Sequence, residues 1–438
     1  FLKQRIDSSH FYGLPLTLLS LVFLYVLALF GGAVEDFINR APIVAVDHII
    51  ANLTPPLRTP ALTDFFTWVT LLGKTEVAGV FLLATALVLW LYAKSRYILS
   101  LILSVGGATV FMGLGKLAFH RPRPDVAIYV EHTYSFPSGH ATIAVALYGF
   151  VAYLLMHFSK NLKTKLNIFF AATILILLIG LSRIYLAEHY LSDVYTGFLV
   201  GTLWLIVAIA FTLWLESRKR GSLAPLHLAK AYSIATALSF ILFFGVFGNL
   251  FHYSRKPPAQ TEIHLLDKPE ALFRTPESHF TQSLLGMDTW PINLILVSDS
   301  LEAIKNNFQQ AGWRIPSETL IKSLPLFWRY RKVDLTLAKR AGQQYYWIKI
   351  WKTEAELDSH SAVFVAMVVA VDHYRWQSIP KFTEDIDQAR YLAVVSLEGT
   401  KQVKKKKTIQ AAKAIIGKDI IYENYFTHGK AIVLYLGS

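Results

Sequence analysis

Apolar runs long enough to cross a lipid bilayer constrain this chain more than any other feature. The first extends from Leu14 to about Val34; a spanning helix needs about 20 predominantly apolar residues. A second stretch, roughly Thr63 to Ala93, is too long for one simple crossing. Lys74 and Glu76 divide it into an approach and a span proper, Val77 to Tyr92. Further runs follow at Tyr97 to Phe119, Gly139 to Phe158, Leu166 to about Tyr185, about Leu191 to Leu215, and Ala231 to Leu250. With the divided stretch counted once, the chain makes seven crossings. Between the first two lies a mixed segment, Glu35 to Pro60, with Arg40, Asp47, His48 and the Pro55-Pro56 pair. It reads as an interfacial connection, with amphipathic helix as one form it could take.

Composition agrees with spans in a membrane: 54% of the 438 residues are hydrophobic and 17% charged. The net charge of +13 does not point to nucleic acid, because the basic residues cluster at the ends of apolar runs. Lys3/Arg5, Lys94/Arg96, Lys160/Lys163/Lys165 and Arg218/Lys219/Arg220 fall at alternate ends, which puts those ends and the N-terminus in the cytoplasm. The loops at the other ends, and everything after residue 252, are then expected outside it. Cysteine is absent, which excludes disulfides and zinc–thiolate sites. The sequence starts at Phe1 rather than Met, so a missing N-terminal region is expected to be open.

From His252 onward the pattern is that of a soluble mixed domain. Asn293 to Val297 is a strand candidate, and Ser300 to Ala311 a helix with Ser300 as its cap. Gln344 to Trp351 alternates like a strand, and Ala362 to Val371 is strand-like but too short to span. Glu384 to Leu397 reads as a helix, Asp419 to Phe426 and Lys430 to Leu436 as closing strands. Lys404 to Lys407 reads as a solvated face, with attraction to anionic lipid headgroups as the alternative. The expected fold class is an all-α membrane helical bundle, six core helices plus a seventh span, followed by a soluble α+β domain. The expected limits are 1–220 for the core, 221–252 for a linker and seventh span, and 253–438 for an extracytoplasmic domain.

Three stretches at the ends of apolar runs carry chemistry. They are Lys116-Leu-Ala-Phe-His-Arg-Pro-Arg123-Pro124, Phe136-Pro137-Ser138-Gly139-His140, and Ser182-Arg183 through His189 to Asp193. A phosphate monoester is a dianion near neutral pH, so its site needs fixed cations and N–H donors. Lys116, Arg123 and Arg183 supply charge, with arginine able to hold two phosphate oxygens at once. Ser138 and Gly139 open a helix whose free N–H groups favour an anion. In a helix His189 and Asp193 would share a face at i, i+4, so the carboxylate could orient the imidazole as a nucleophile. His140 would then protonate the leaving group and later activate water. Singly, each has a plainer reading: Lys116 and Arg123 as snorkelling cations, His140 as a helix-interface residue, Asp193 as a helix-start residue. Arg121-Pro122 repeats the Arg-Pro dipeptide, and only the six-residue spacing from Lys116 selects Arg123. His120, His132 and Glu131 lie in the same loop and match no motif.

Lys-x6-Arg-Pro, Pro-Ser-Gly-His and Ser-Arg-x5-His-x3-Asp, in this order, resemble the type 2 phosphatidic acid phosphatase (PAP2) superfamily. That superfamily includes lipid phosphate phosphatases, bacterial undecaprenyl-pyrophosphate phosphatases and vanadium haloperoxidases. The resemblance implies the same roles for His189, His140 and Asp193, and chemistry that needs no metal or other cofactor. Trp290 to Val297, Ala311-Gly-Trp313-Arg and Tyr346 to Trp351 are similar to the LssY C-terminal domain, which implies no particular function. The expectation is a multi-pass lipid phosphate phosphatase of a bacterial inner membrane, its site and C-terminal domain facing the periplasm. Its partners would be the bilayer and a phosphorylated lipid, because the site lies at span ends. Undecaprenyl pyrophosphate, phosphatidic acid and a lipid A phosphate are all compatible. Three rivals stand beside this reading. Phosphotransfer to another lipid would use the same site. Vanadate-dependent haloperoxidase chemistry is disfavoured by the spans. Lastly, the C-terminal domain could carry the main function by binding an envelope partner.

Overall fold

A computed structural model describes residues 11–39, 42–131, 133–218, 227–256, 264–274, 278–283, 287–316, 326–357, 361–375, 379–418 and 424–437. The chain divides into two units, Phe1–Pro257 and Pro258–Ser438.

The first unit is helical. Its helices are α1 (Leu14–Ile38), α2 (Pro42–Leu57), α3 (Pro60–Leu71), α4 (Thr75–Leu91), α5 (Arg96–Phe119), α6 (Gly139–Phe158), α7 (Leu162–Tyr185), α8 (Leu191–Ser217) and α9 (Ala229–Leu250). Six of them are long and apolar enough to cross a membrane, and α3 with α4 forms a pair bent by 47° that makes a seventh if counted as one span. The break falls at Leu72 to Lys74, where the sequence divides the second apolar stretch. The Glu35 to Pro60 connection contains α2, and the fifth span starts earlier than expected because Asn161 caps it at Lys163. The protein is a multi-pass membrane protein.

Side chains are sorted as a bilayer requires. On α1, Leu21, Leu24 and Tyr25 are exposed and only Val26 is buried. The interior holds polar and charged groups, among them Asp47, Thr70, Arg183, Glu188 and Asp193. Small residues let the site-bearing helices meet. A Cβ added at Gly197 of α8 would lie 2.6 Å from the Ser138 carbonyl oxygen, so α8 can approach the start of α6 only without a side chain there. Within α6 one wider π-helical turn, Ala144–Gly149, separates two α-helical parts.

The second unit is built on an eight-stranded mixed sheet. Five consecutive strands run in the order Gln344–Glu356, Ala362–Arg375, Leu294–Ser298, Lys430–Leu436 and, at the edge, Val403–Gln410. The helices Leu301–Gln310 and Ile386–Glu398 bury Ile304, Phe308, Ala393 and Leu397 against one face. On the other face Trp290, Trp328, Trp347 and Trp351 pack together, next to a four-stranded antiparallel sheet. Ser300 caps its helix as expected, its hydroxyl accepting from the Ala303 N–H at 3.1 Å. One expectation shifts. The closing strand placed at Asp419 to Phe426 is instead a hairpin of Ile415–Lys418 and Asn424–Thr427, with 419–423 outside the described residues. Lys404 to Lys407 forms part of an edge strand, where Lys406 pairs with Glu398 at 2.9 Å and Lys407 with Glu270. Lysines on an edge strand hinder pairing with another sheet.

Candidate active site

The three motifs come together where α5 and α7 end and α6 and α8 begin. His189 lies in the turn between α7 and α8, one residue before the cap Tyr190, so it and Asp193 do not share a helix face as expected. The reason is local. Asp193 is the third residue of α8, and its Oδ2 accepts the Tyr190 N–H at 2.9 Å, which starts the helix after the histidine. The carboxylate still faces the ring, with His189 Nδ1 to Asp193 Oδ2 at 3.5 Å. The Ser135 hydroxyl is 3.4 Å from the same nitrogen and donates to Asp193.

The opposite ring nitrogen points at a cation. Arg123 Nη1 lies 3.2 Å from His189 Nε2 and 2.7 Å from the Glu188 carbonyl oxygen. A guanidinium can only donate, so Nε2 carries its lone pair there and Nδ1 carries the proton. Burial, then Arg123 and Arg183, hold the His189 imidazole well below its ordinary pKa. Both influences favour the neutral form of the ring, with its Nε2 lone pair directed at Arg123.

Arg183 is fully buried. Its Nη1 donates to Thr70 Oγ1 at 2.8 Å, and Nη2 is 3.7 Å from Glu131 Oε1 and 4.0 Å from Glu188 Oε2. Nε and Nη2 have no hydrogen-bond partner among the described residues, and neither do Ser138 Oγ and His140 Nε2. Donors buried in this way are costly unless something polar meets them. Lys116 donates to the Tyr134 carbonyl and is close enough to Arg123 and Arg183 to feel their charge. His140, in the first turn of α6, is likewise within electrostatic reach of Arg183 and His189. A Cβ at Gly73, in the break between α3 and α4, would come within 2.8 Å of its ring. The Ser138 N–H is donated to the Asp193 carbonyl at 2.9 Å, so it is not open to an anion. The first-turn N–H groups from Gly139 onward are the ones helix geometry leaves free.

Three comparisons with known proteins bear on this chain. The family model described as PAP2 superfamily matches residues 94–217, and that described as LssY C-terminus matches 274–430. The chain is similar to phosphatidylglycerophosphatase B of Bacillus subtilis, 30% identical over 40% of this chain and 87% of that protein. The chain belongs to the PAP2 superfamily. It is also similar to a dihydrosphingosine 1-phosphate phosphatase of Schizosaccharomyces pombe, 29% identical over 36% of this chain and 41% of that protein. A crystal structure of a transmembrane PAP2-type phosphatidylglycerolphosphate phosphatase from Bacillus subtilis aligns with 46% of this chain and 96% of its own, at 30% identity and a TM-score of 0.39.

Several residues of this PAP2 site are not among those the motifs single out. Arg121, set aside by spacing, is buried between the rings of Phe37 and Tyr190 at 4.9 and 4.1 Å. It reaches Asp193 Oδ1 at 2.6 Å and Asp47 Oδ2 at 2.8 Å. Asp47, from α2, also accepts the Ser192 N–H at 2.9 Å. Asp193 is thus fixed from three sides before it meets the imidazole. Glu188 is the second omission: Oε1 accepts the Tyr129 N–H at 2.8 Å, and Oε2 stands 3.8 Å from Arg123. Burial pushes its pKa up, against the pull of Arg183. The only sequence signal for Glu188 was its place inside the third motif, and Asp47 had none. His120 ends α5 in the left-handed region and stacks edge-on against Tyr134, whereas His132 lies outside the described residues. Among the described residues no group of three or more His, Asp or Glu side chains is arranged to hold a metal ion.

Proposed function

We propose that the chain is a lipid phosphate phosphatase that works through a phosphohistidine on His189. The observation that carries this reading is the set of buried donors without partners, on Arg183, Ser138 and His140, grouped around a neutral imidazole. A phosphoryl group placed among them would meet Arg123, Arg183 and Lys116 on its equatorial oxygens, where charge develops in the transition state. Nε2 of His189 attacks phosphorus and the bond to the leaving oxygen breaks, with His140 supplying the proton. Water activated by His140 then releases phosphate and restores the imidazole. Asp193, held by Arg121 and Ser135, keeps the Nδ1 proton in place and stabilises the cation formed on the ring. The fixed positive charge comes from side chains, so the reaction as proposed runs without a metal.

The site belongs on the extracytoplasmic side in this reading. Lys94/Arg96 and Lys160/Lys163/Lys165 flank the opposite ends of the helices that carry the motifs; Lys3, Arg5, Lys219 and Arg220 lie outside the described residues. Beyond α9, the Val130 N–H donates to the Ser254 carbonyl at 2.8 Å, so the chain leaves the first unit on the motif side. The LssY-like domain would then be extracytoplasmic, in the periplasm of a bacterial inner-membrane protein. The relatives named for phosphatidylglycerophosphate and dihydrosphingosine 1-phosphate support a phosphorylated lipid as substrate. Phosphate release by detergent-purified protein in EDTA, from a panel of lipid phosphates, tests the reading. Release that depends on His189 is the expected result; a folded protein that releases none overturns it.

A further inference from the structure

The PAP2 match ends at residue 217, yet one wall of a cavity next to the site residue Arg123 comes from beyond it. A cavity of about 220 Å³ opens beside Arg123, lined also by Tyr129, Glu131, Thr133, Tyr134 and Lys256. Lys256 is 39 residues past the end of the match, just after the seventh span, where composition alone suggested the soluble domain had begun.

Its position is fixed by backbone pairing. The stretch after α9 runs antiparallel to the loop that joins the first two motifs, through a bridge between Tyr129 and Arg255. The Val130 N–H donates to the Ser254 carbonyl and the Lys256 N–H to the Ile128 carbonyl, each at 2.8 Å. Tyr253 stacks on Tyr129 with ring centroids 4.6 Å apart, and Lys74 lies over the Phe251 ring at 4.4 Å. Tyr129 donates its own N–H to Glu188, which stands between Arg123 and Arg183. One short ladder therefore ties Lys256 to Tyr129 and, through Glu188, to Arg123 and Arg183.

That placement has a chemical consequence. A phosphoryl group held against His189 by Arg123 must direct its leaving group away from the imidazole. The cavity beside Arg123 offers such a leaving group room. For a lipid alcohol the neighbouring part of the leaving group is neutral. For a lipid diphosphate, or a phosphoglycerol with a phosphodiester behind it, it is an anion. Lysine is a compact point charge suited to such a group, and Glu131 on the same wall disfavours an anion that lacks a cation beside it.

Resting on the phosphatase reading above, we propose that Lys256 is a specificity-determining residue. It binds a second phosphate on the leaving-group side and selects lipids with two phosphates over lone phosphomonoesters. The His189 Nε2–phosphorus bond forms as the bond from phosphorus to the leaving oxygen breaks. With a diphosphate the electron pair stays on the departing lipid phosphate, and Lys256 neutralises that charge.

The test compares a polyprenyl diphosphate with phosphatidic acid in neutral detergent micelles, so that the substrate is the only anionic lipid present. The quantity read is the ratio of kcat/KM values for the two, which cancels any difference in the fraction of folded enzyme. Wild type is expected to favour the diphosphate. Lys256→Gln lowers that ratio about tenfold, mostly through KM, the size of one charge-assisted hydrogen bond; Lys256→Arg restores most of it. A ratio unchanged by Lys256→Gln, or a wild type that prefers phosphatidic acid, overturns the inference and leaves the phosphatase reading standing. A wild type that releases no more phosphate than His189→Ala from either lipid removes both.

Discussion

Both units of this protein bury apolar side chains, but the helical unit also seals in the cluster of charged groups at its candidate site. In the helical unit Leu21, Leu24 and Tyr25 face outward while Asp47, Arg183, Glu188 and Asp193 are sealed within. In the sheet unit Trp313, Trp347, Trp351 and Phe364 are within, and Lys405 to Lys407 are exposed. Water drives the second arrangement through burial of apolar surface. A bilayer removes that drive, so the helical unit can hold charge inside wherever each group is paired or kept for a ligand. Stability and chemistry are therefore entangled in the first unit and separable in the second.

The largest effect expected from that contrast is on His189. Its replacement by alanine removes the proposed nucleophile and should lower kcat by ~10⁴-fold or more, while the melting temperature of the detergent-solubilised protein stays near wild type. A variant that keeps substantial turnover would break the contrast at its centre. Arg121→Ala sharpens it from the stability side. It leaves Asp47 and Asp193 buried without their cation, and breaking a buried pair on one side costs roughly 3–5 kcal/mol. Thermal unfolding of the helical unit should drop well below wild type, and Arg121→Lys should recover little of it because one ammonium cannot span both carboxylates in the same planar geometry.

Trp313→Ala is the counterpart in the sheet unit. Trp313 is fully buried against Phe308, and its indole N–H donates to Ser396 at 2.9 Å. Its loss should cost about 3–5 kcal/mol, seen as earlier protease cleavage within 274–430, with phosphate release per intact helical unit unchanged. A proportionate loss of turnover would show that the units are not separable.

A smaller effect concerns pH. Because burial and the two arginines lower the His189 pKa, the imidazole stays neutral down to pH values below its ordinary 6.5. The acid limb of kcat/KM should therefore fall below pH 6.5, and Arg123→Gln should move it upward as one depressing charge is removed. An acid limb at or above 6.5 in wild type would contradict the environment described for His189. Smallest of all is Lys406→Ala. Its exposed pair with Glu398 should be worth less than about 1 kcal/mol, measurable as a melting shift of the sheet unit near the limit of detection.

Legibility in the sequence followed the same division. Spans showed as long apolar runs, and strands such as Leu294–Ser298 showed as short ones, because both are local patterns. The edge strand Val403–Gln410 did not show, since its four lysines satisfy solvent rather than any period. Motif spacing picked out Lys116, Arg123, Ser138, His140, Arg183, His189 and Asp193, which the fold gathers at one set of helix ends. It gave no hint of Asp47, which meets Arg121 across 74 residues, or of Lys256, which arrives by strand pairing. Such contacts depend on how helices meet, and a single sequence does not record that. The i, i+4 argument for His189 and Asp193 found the right pair for the wrong reason: the helix starts at Leu191, and the carboxylate reaches back as its cap.

The most direct test of the central claim is to trap the enzyme during turnover. Protein mixed with a lipid labelled in its terminal phosphate, and quenched in alkali within the first turnover, should carry label that survives base and is lost in acid. Fragmentation should place it on the peptide containing His189, and His189→Ala should carry none. Turnover without labelled protein, or label that persists in His189→Ala, would contradict a phosphohistidine at this site.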